Sequence, residues 1–406
     1  MEHLKNAACG RTPLWPNNDA REEIQTLRGR FLRNVTLWFL YGVWIFGLAF
    51  VAGLYGFSFF CMARSVLSAL VGGGWASMTP LPSIVKLFLS STMLYESYHL
   101  VTRDSLHQSS FVRNLVRQSF LKYPYFRLNV CVFEERVALQ SREKQLESFS
   151  SNDTISSTSD DDDDDDIDRR LAATKAVELN DVSPFVKPQD RAMFAFHPHG
   201  VLTNGWAFNG AHHMSFERAD CRWLVAENLF WFPFMRDLLN WMDQGSVAKA
   251  TFQRLMPSGQ NVCLLPGGFE EATLYQRGKH RVYIKKRFGF IKLALQHGYK
   301  VHPVYTFGEE FAYHTFPYLL RLRLKLNAFK LPGALFCGLP YCFYLPRTDL
   351  DLITVVGKPL LLPHIEHPTK EEVKKYHDQY VQALQELFDA YKGVYAVDPA
   401  AVLEIY

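Results

Sequence analysis

Two histidines separated by one proline, His197-Pro198-His199-Gly200, stand at the end of the short apolar run Phe194-Ala195-Phe196. The run reads as a buried strand; Pro198 lacks the N–H that would continue a ladder, and Gly200 turns the chain without a Cβ clash. Both imidazoles are thereby presented at a strand-end turn, where reactive groups are commonly carried on a rigid frame. An imidazole with an unperturbed pKa of about 6.5 takes a proton near neutrality, so the chemistry on offer is general-base catalysis. On spacing alone, a purely structural turn accounts for the same residues equally well. A second strand-then-turn follows, where residues 262–265 run into Pro266-Gly267-Gly268-Phe269-Glu270-Glu271. Its two glycines either bring backbone N–H groups close to a developing oxyanion or phosphate, or make a tight turn before a helix. Next comes a basic stretch, Arg277, Lys279, Arg281, Lys285, Lys286 and Arg287, which is either a solvated face or a seat for phosphates.

The elements that must position these groups alternate along the last two hundred residues. Residues 299–307 are β-rich, residues 288–294 read as a helix, and Pro368 with the capping pair Thr369 and Glu372 opens another. In that last helix Val373, Tyr376, Tyr380, Leu384, Leu387 and Tyr391 form one stripe, read as packing, and Gly393 is the expected stop. Residues 123–133 alternate and predict the first strand of the globular domain. This order predicts an α/β fold with a largely parallel sheet. The aromatic cluster at residues 223–242 is either core, an acyl-chain pocket or an interfacial face.

The first hundred residues are different in kind. Residues 1–33 are polar, end in Arg28, Arg30 and Arg33, and lack a signal-peptide pattern, so they read as a cytosolic arm. Residues 34–63 contain no Asp, Glu, Lys or Arg, which is long enough for a span or for the first arm of a hairpin bending near Gly53 or Gly56. A second uncharged run, residues 65–85, is broken by Gly72-Gly73-Gly74, Pro80 and Pro82. Basic residues flank both ends of the region, which favours a membrane hairpin at residues 34–95 with both termini in the cytosol. Residues 96–406 then form the catalytic domain, interrupted at about residues 140–181 by a segment poor in aromatics that carries Asp160 to Asp166 in succession. Such a segment cannot bury enough surface to offset its ordering entropy and is expected to be a disordered insertion. It lacks the turn glycine of a calcium loop. Without its seven aspartates the net charge rises from +3 to +10, which suits an anionic membrane or a polyanionic ligand. No zinc-finger spacing or nucleic-acid signature accompanies that charge, so nucleic acid is not an expected partner. Seven cysteines without a CxxC pair predict reduced thiols and no metal site.

His197-Pro198-His199-Gly200 resembles the HPHG signature of type-2 diacylglycerol and monoacylglycerol acyltransferases. Further matches follow in order: Pro233 with Arg236, the 266–271 turn with Glu271 as the acid of a GGxxE pattern, Arg287-Phe-Gly-Phe290, residues 304–309 and residues 354–359. The resemblance implies a glycerolipid-acyltransferase-like domain on an N-terminal membrane hairpin, in the endoplasmic-reticulum membrane and on lipid-droplet surfaces. It implies acyl transfer from acyl-CoA, a co-substrate with no further cofactor, to diacylglycerol, with monoacylglycerol or wax-alcohol acylation, or a silent lipid-binding role at droplets, as alternatives. Membrane lipid is an implied partner, and a homo-oligomer is left open. Related acyltransferases follow their catalytic His by an Asp five positions on; here those positions are Leu202 counted from His197 and Asn204 counted from His199. The expectation is therefore His197 as base, His199 as second choice, and Glu271 as the orienting carboxylate. Gly200, Gly267 and Gly268 serve as oxyanion donors or turn-formers, and Lys285, Lys286 and Arg287 hold acyl-CoA. His302 departs from the family pattern and is given no role.

Overall fold

The computed structural model describes residues 47–102, 108–122, 125–134, 186–231, 235–329 and 333–406, with isolated positions before residue 43. Nearly all of the N-terminal arm and the whole acidic segment at 140–181 lie outside the described residues. The described part of the apolar N-terminal region holds helix α1, Leu48–Val71, and helix α2, Ser83–Thr102, which meet with Tyr55 edge-on to Phe88 at 5.0 Å. Phe50–Val71 is long and apolar enough to cross a membrane. The bend lies at Gly72 to Pro82, not near Gly53 or Gly56, which α1 passes without a break. The glycines and prolines of the second uncharged run collect there, and the Ser65 hydroxyl holds the turn by donating to the Thr79 carbonyl at 2.7 Å. Helix α2 carries Lys86 and Glu96 and continues to Thr102, so the second arm runs past residue 95. Helix α3, Ser110–Lys122, follows, and Arg113 and Arg222 both pair with the buried Asp243 carboxylate, tying α3 to the sheet.

The rest of the described chain is built on β1 (Leu128–Phe133), β2 (Ala192–His197), β3 (Cys221–Val225), β4 (Gln244–Ser246), β5 (Asn261–Leu264), β6 (His280–Val282), β7 (Lys300–Phe307), β8 (His314–Thr315), β9 (Phe336–Cys337), β10 (Asp351–Val356) and β11 (Leu403–Ile405). Seven of these form one sheet in the order β1-β10-β7-β2-β5-β3-β4. The run β7-β2-β5-β3-β4 is parallel throughout, whereas β10 is antiparallel to β7 and β1 follows β10. The fold is thus mixed α/β with a mostly parallel sheet. The reversal arises because the chain returns from β7 to β10 through an irregular excursion rather than a crossover helix, and an antiparallel neighbour needs no crossover.

Strand alternation decides what each face holds. Ala192, Phe194 and Phe196 of the fully buried β2 pack with Trp206, Phe216 and Trp223 on one face. Met193 and Ala195 face the other, where Tyr305, Phe307, Tyr380, Leu384 and Phe388 complete the largest cluster. The last three belong to the long helix Lys370–Tyr395. Its capping box is formed: Glu372 N–H donates to the Thr369 hydroxyl at 3.2 Å, and the Glu372 carboxylate accepts from Thr369 N–H at 2.8 Å. The helix runs through Gly393 to Tyr395, so that glycine does not stop it; packing of Tyr391 and Tyr395, stacked at 5.9 Å, carries the last turn. Truncating a buried Phe such as Phe194 to Ala costs about 3–5 kcal/mol in cores of this kind.

Candidate active site

Because His197 is the last residue of β2 and falls in step with Met193 and Ala195, its side chain enters the sheet face covered by the long helix. It is 0 % exposed. Its Nδ1–H faces both oxygens of Glu271 at 3.3 Å, and its Nε2 accepts from the Tyr380 hydroxyl at 3.1 Å. Glu271 is itself buried, on the short helix Gly268–Leu274 that follows β5. Besides the imidazole it accepts the backbone N–H of His199 at 2.5 Å and of Tyr283 at 2.8 Å. One carboxylate thereby joins the histidine turn, the glycine turn and the chain after β6. A buried carboxylate with three donors is well satisfied, and removing one donor strands the rest.

His199 lies past the cis peptide between His197 and Pro198 and takes the opposite part. It is half-buried and lines a cavity of about 1890 Å³. Its Nδ1 lies 3.0 Å from the Gly200 carbonyl oxygen, which can only accept, so Nδ1 carries the proton and Nε2 keeps its lone pair. Burial pushes its pKa below the usual 6.5, partly offset by the Gly200 carbonyl and by Glu271 and Glu270. The ring is therefore neutral at pH 7.

A second carboxylate closes the turn from the other side. Glu309, fully buried, accepts from Asn204 Nδ2 at 2.9 Å and Gly205 N–H at 2.7 Å. Gly200 has φ +65, and any Cβ there would overlap the Glu309 carboxylate, so this position needs glycine twice over. Asn204 also accepts from the Tyr41 hydroxyl at 2.7 Å, and Tyr41 comes from the chain just before α1. Burial raises Glu309 to about 7, against the N–H bonds that lower it. Its neighbour Glu310 is likewise raised to about 7, with no hydrogen-bond partner for either carboxylate oxygen and His280 Nε2 at 3.8 Å.

The glycine turn is more closed than an anion cradle. The Gly268 N–H is committed to the Leu265 carbonyl at 3.2 Å, so it serves the turn rather than an oxyanion. A Cβ on Gly267 would overlap the Glu271 carboxylate, which makes Gly267 the residue that lets Glu271 approach. Of the basic triplet, Lys286 and Arg287 line the cavity; Lys285 does not. Arg287 pairs with Glu270 and lies over the Tyr283 ring at 5.2 Å. The cavity wall also carries Lys249 and Lys292 and, along its apolar length, Leu224, Leu238, Met242 and Phe269. Trp223 of the aromatic cluster is core, whereas Leu229 and Met242 face the cavity. His302 is buried, donates from Nδ1 toward the Gly357 carbonyl at 3.1 Å and stacks on Phe194. Among the described residues no group of three His, Cys, Asp or Glu converges as metal ligands, and the six described cysteines are unpaired.

Tyr380, Asn204, Glu309 and Tyr41 are absent from the sequence expectation for the site. Tyr380 looks like one more residue of a packing stripe, and only its contact with a histidine 183 residues away distinguishes it. The family model described as diacylglycerol acyltransferase matches residues 173–406. Diacylglycerol O-acyltransferase 2 of Dictyostelium discoideum is 34% identical over 222 residues, 51% of this chain and 67% of that protein. Diacylglycerol O-acyltransferase 2-like protein 6 of Mus musculus is 33% identical over 253 residues, 57% of this chain and 74% of that protein. Acyl-CoA wax alcohol acyltransferase 2 of Homo sapiens is 30% identical over 238 residues, 54% and 71% of the two chains.

Proposed function

Because the chain belongs to the diacylglycerol acyltransferase family, we propose that it transfers a fatty acyl group from acyl-CoA to diacylglycerol, giving triacylglycerol and free coenzyme A. The observation that carries the mechanism is the placement of His199: its ring lines the large apolar cavity, with Nδ1 anchored on the Gly200 carbonyl. His199 Nε2 removes the proton of the glycerol hydroxyl as that oxygen attacks the thioester carbonyl carbon. The C–S bond of the tetrahedral intermediate then breaks, and the imidazolium returns its proton to the departing thiolate. No acyl-enzyme is formed. This reverses the order of the two histidines expected from sequence, where His197 came first. His197, sealed between Glu271 and Tyr380, positions the turn, and Glu271 orients His199 through its backbone N–H rather than its ring.

Lys286 and Arg287 stand where the phosphates of coenzyme A would be neutralised at the cavity wall, and Lys285 drops out of that role. The α1–α2 pair is read as the membrane anchor, in the endoplasmic reticulum and at droplet surfaces, with both termini cytosolic. The test supplies membranes from cells making this chain with labelled oleoyl-CoA and monoacylglycerol, diacylglycerol or a long alcohol. Labelled triacylglycerol from diacylglycerol, lost in His199→Ala at equal abundance, is the expected product. Preferential wax ester would reassign the acceptor, and no product with any acceptor would leave a lipid-binding role.

A further inference from the structure

One stretch of the excursion between β7 and β10 turns apolar side chains outward while the rest of it is packed in the core. Leu319, Leu322, Leu326 and Phe329 recur at helical spacing in and beside the helix Leu320–Asn327, and Leu319, Leu322 and Phe329 are 64%, 56% and 75% exposed. In the same helix Arg323 is buried, donating to the carbonyls of Tyr318 at 2.9 Å and of Thr273 and Gly333 at 3.2 Å. These bonds fix the helix with a charged residue turned in and a leucine stripe turned out. A helix facing water has the opposite arrangement. Exposed Arg321 and Lys325 flank the stripe, and Tyr318, Leu335 and Tyr341 of the same excursion are exposed as well. Apolar stripe, aromatic fringe and basic border together match a bilayer interface with anionic headgroups.

The same excursion also packs against the chain that leads into α1. The Tyr344 hydroxyl donates to the Trp38 carbonyl at 3.3 Å, and Tyr41 packs in the same cluster as Tyr313, Phe336 and Tyr344. Tyr41, Phe336 and Phe343 line the cavity as well. Chain leading into the anchor, the excursion and the cavity wall thus meet at one place.

We propose that the exposed apolar side chains of residues 316–329 and 333–343 form a second membrane contact, seated in the leaflet interface, through which the lipid acceptor reaches the cavity from the bilayer. This rests on reading α1 and α2 as membrane-embedded, and the test separates the two. In full-length protein with Cys9→Ser and Cys337→Ser, which leaves only the buried Cys61, Cys131, Cys221, Cys263 and Cys342, one exposed cysteine at a time is introduced at Phe59 in α1, Leu322, Phe329 or Glu371 on the long helix and labelled with an environment-sensitive fluorophore. Each is reconstituted into phosphatidylcholine–phosphatidylserine vesicles with or without brominated lipid. Quenching at Phe59, Leu322 and Phe329 but not Glu371 is the expected result. Quenching at Phe59 alone would overturn the second contact and leave the patch to a protein partner, whereas no quenching at Phe59 would sink the anchor reading and this proposal with it. A Leu322→Ser, Phe329→Ser double variant, whose residues do not line the cavity, provides an independent readout. It should need about tenfold more acceptor in the bilayer for half-maximal rate, as loss of buried apolar side chains implies, with unchanged turnover on a short-chain, water-dispersed diacylglycerol. Equal dependence on bilayer acceptor in variant and parent would refute it.

Discussion

His197 and His199 differ by two residues and occupy opposite environments. One is sealed at the end of β2 with both ring nitrogens engaged by Glu271 and Tyr380; the other stands on a cavity with one nitrogen engaged and the other available. The sealed side resembles a core polar network, in which every donor has its acceptor and removal of any member leaves a buried group unpaired. The cavity side is built for exchange, because a neutral imidazole with a lone pair facing apolar space accepts a proton only when substrate brings one. In the proposed mechanism one turn therefore does two jobs, the sealed histidine holding the other in place.

The contrast is broken most directly at the histidines themselves. His199→Ala should lower turnover by about 10²–10⁴-fold with an unchanged melting midpoint, while His197→Ala should lose stability first, about 1–3 kcal/mol for the stranded partners, and activity along with it. Turnover per folded molecule, with circular dichroism as the fold control, separates them; a fully folded, inactive His197→Ala beside an active His199→Ala would invert the assignment. Since burial depresses the His199 pKa, the neutral base persists below the ordinary value of 6.5, and the acid limb of the rate should fall below that pH.

Glu271→Gln should act on both sides at once. An amide retains one acceptor oxygen but cannot serve His197 Nδ1–H and two backbone N–H groups together, so melting temperature and turnover should fall together while the KM for acyl-CoA stays near that of the parent. A rise in KM with constant stability would move Glu271 to the cavity side.

At the cavity wall, Lys286→Ala should raise the KM for acyl-CoA by about tenfold, within the range for one charge-assisted hydrogen bond, and Lys285→Ala should leave it unchanged. Equal effects of the two would show that bulk charge, not position, attracts the donor.

The smallest effect lies deepest. Glu310, raised by burial to about 7 from 4.5 with His280 Nε2 at 3.8 Å and the Glu309 carboxylate beside it, binds its proton more tightly folded than unfolded. Its contribution is favourable below about pH 4.5 and is lost as pH rises through about 7. Glu310→Gln should therefore raise the melting temperature at pH 8 and leave it unchanged at pH 4.5. A uniform change at both pH values would show that ionisation is not the cause.

Much of this was readable from residues alone. An apolar run ended by Pro198 and Gly200 marks a strand-end turn, the uncharged residues 50–63 mark the first part of a membrane-competent helix that runs on through Arg64 to Val71, and Thr369 with Glu372 marks a helix start, because each signal is local and its physics acts within a few residues. Other boundaries were decided by competition among neighbours: α1 passes Gly53 and Gly56 because its other residues carry the helix, and packing around Tyr391 overrides Gly393 as a stop. The environments of the two histidines were decided only by tertiary structure. Strand alternation puts His197 in a definable position, but what covers it and the turn after it comes from Tyr380, 183 residues further along the chain, from Glu309 wedged against Gly200, and from Tyr41 reaching in from ahead of α1. Such contacts leave no periodic trace in the sequence, since each depends on where an entire helix or sheet edge comes to rest and not on the residues beside it.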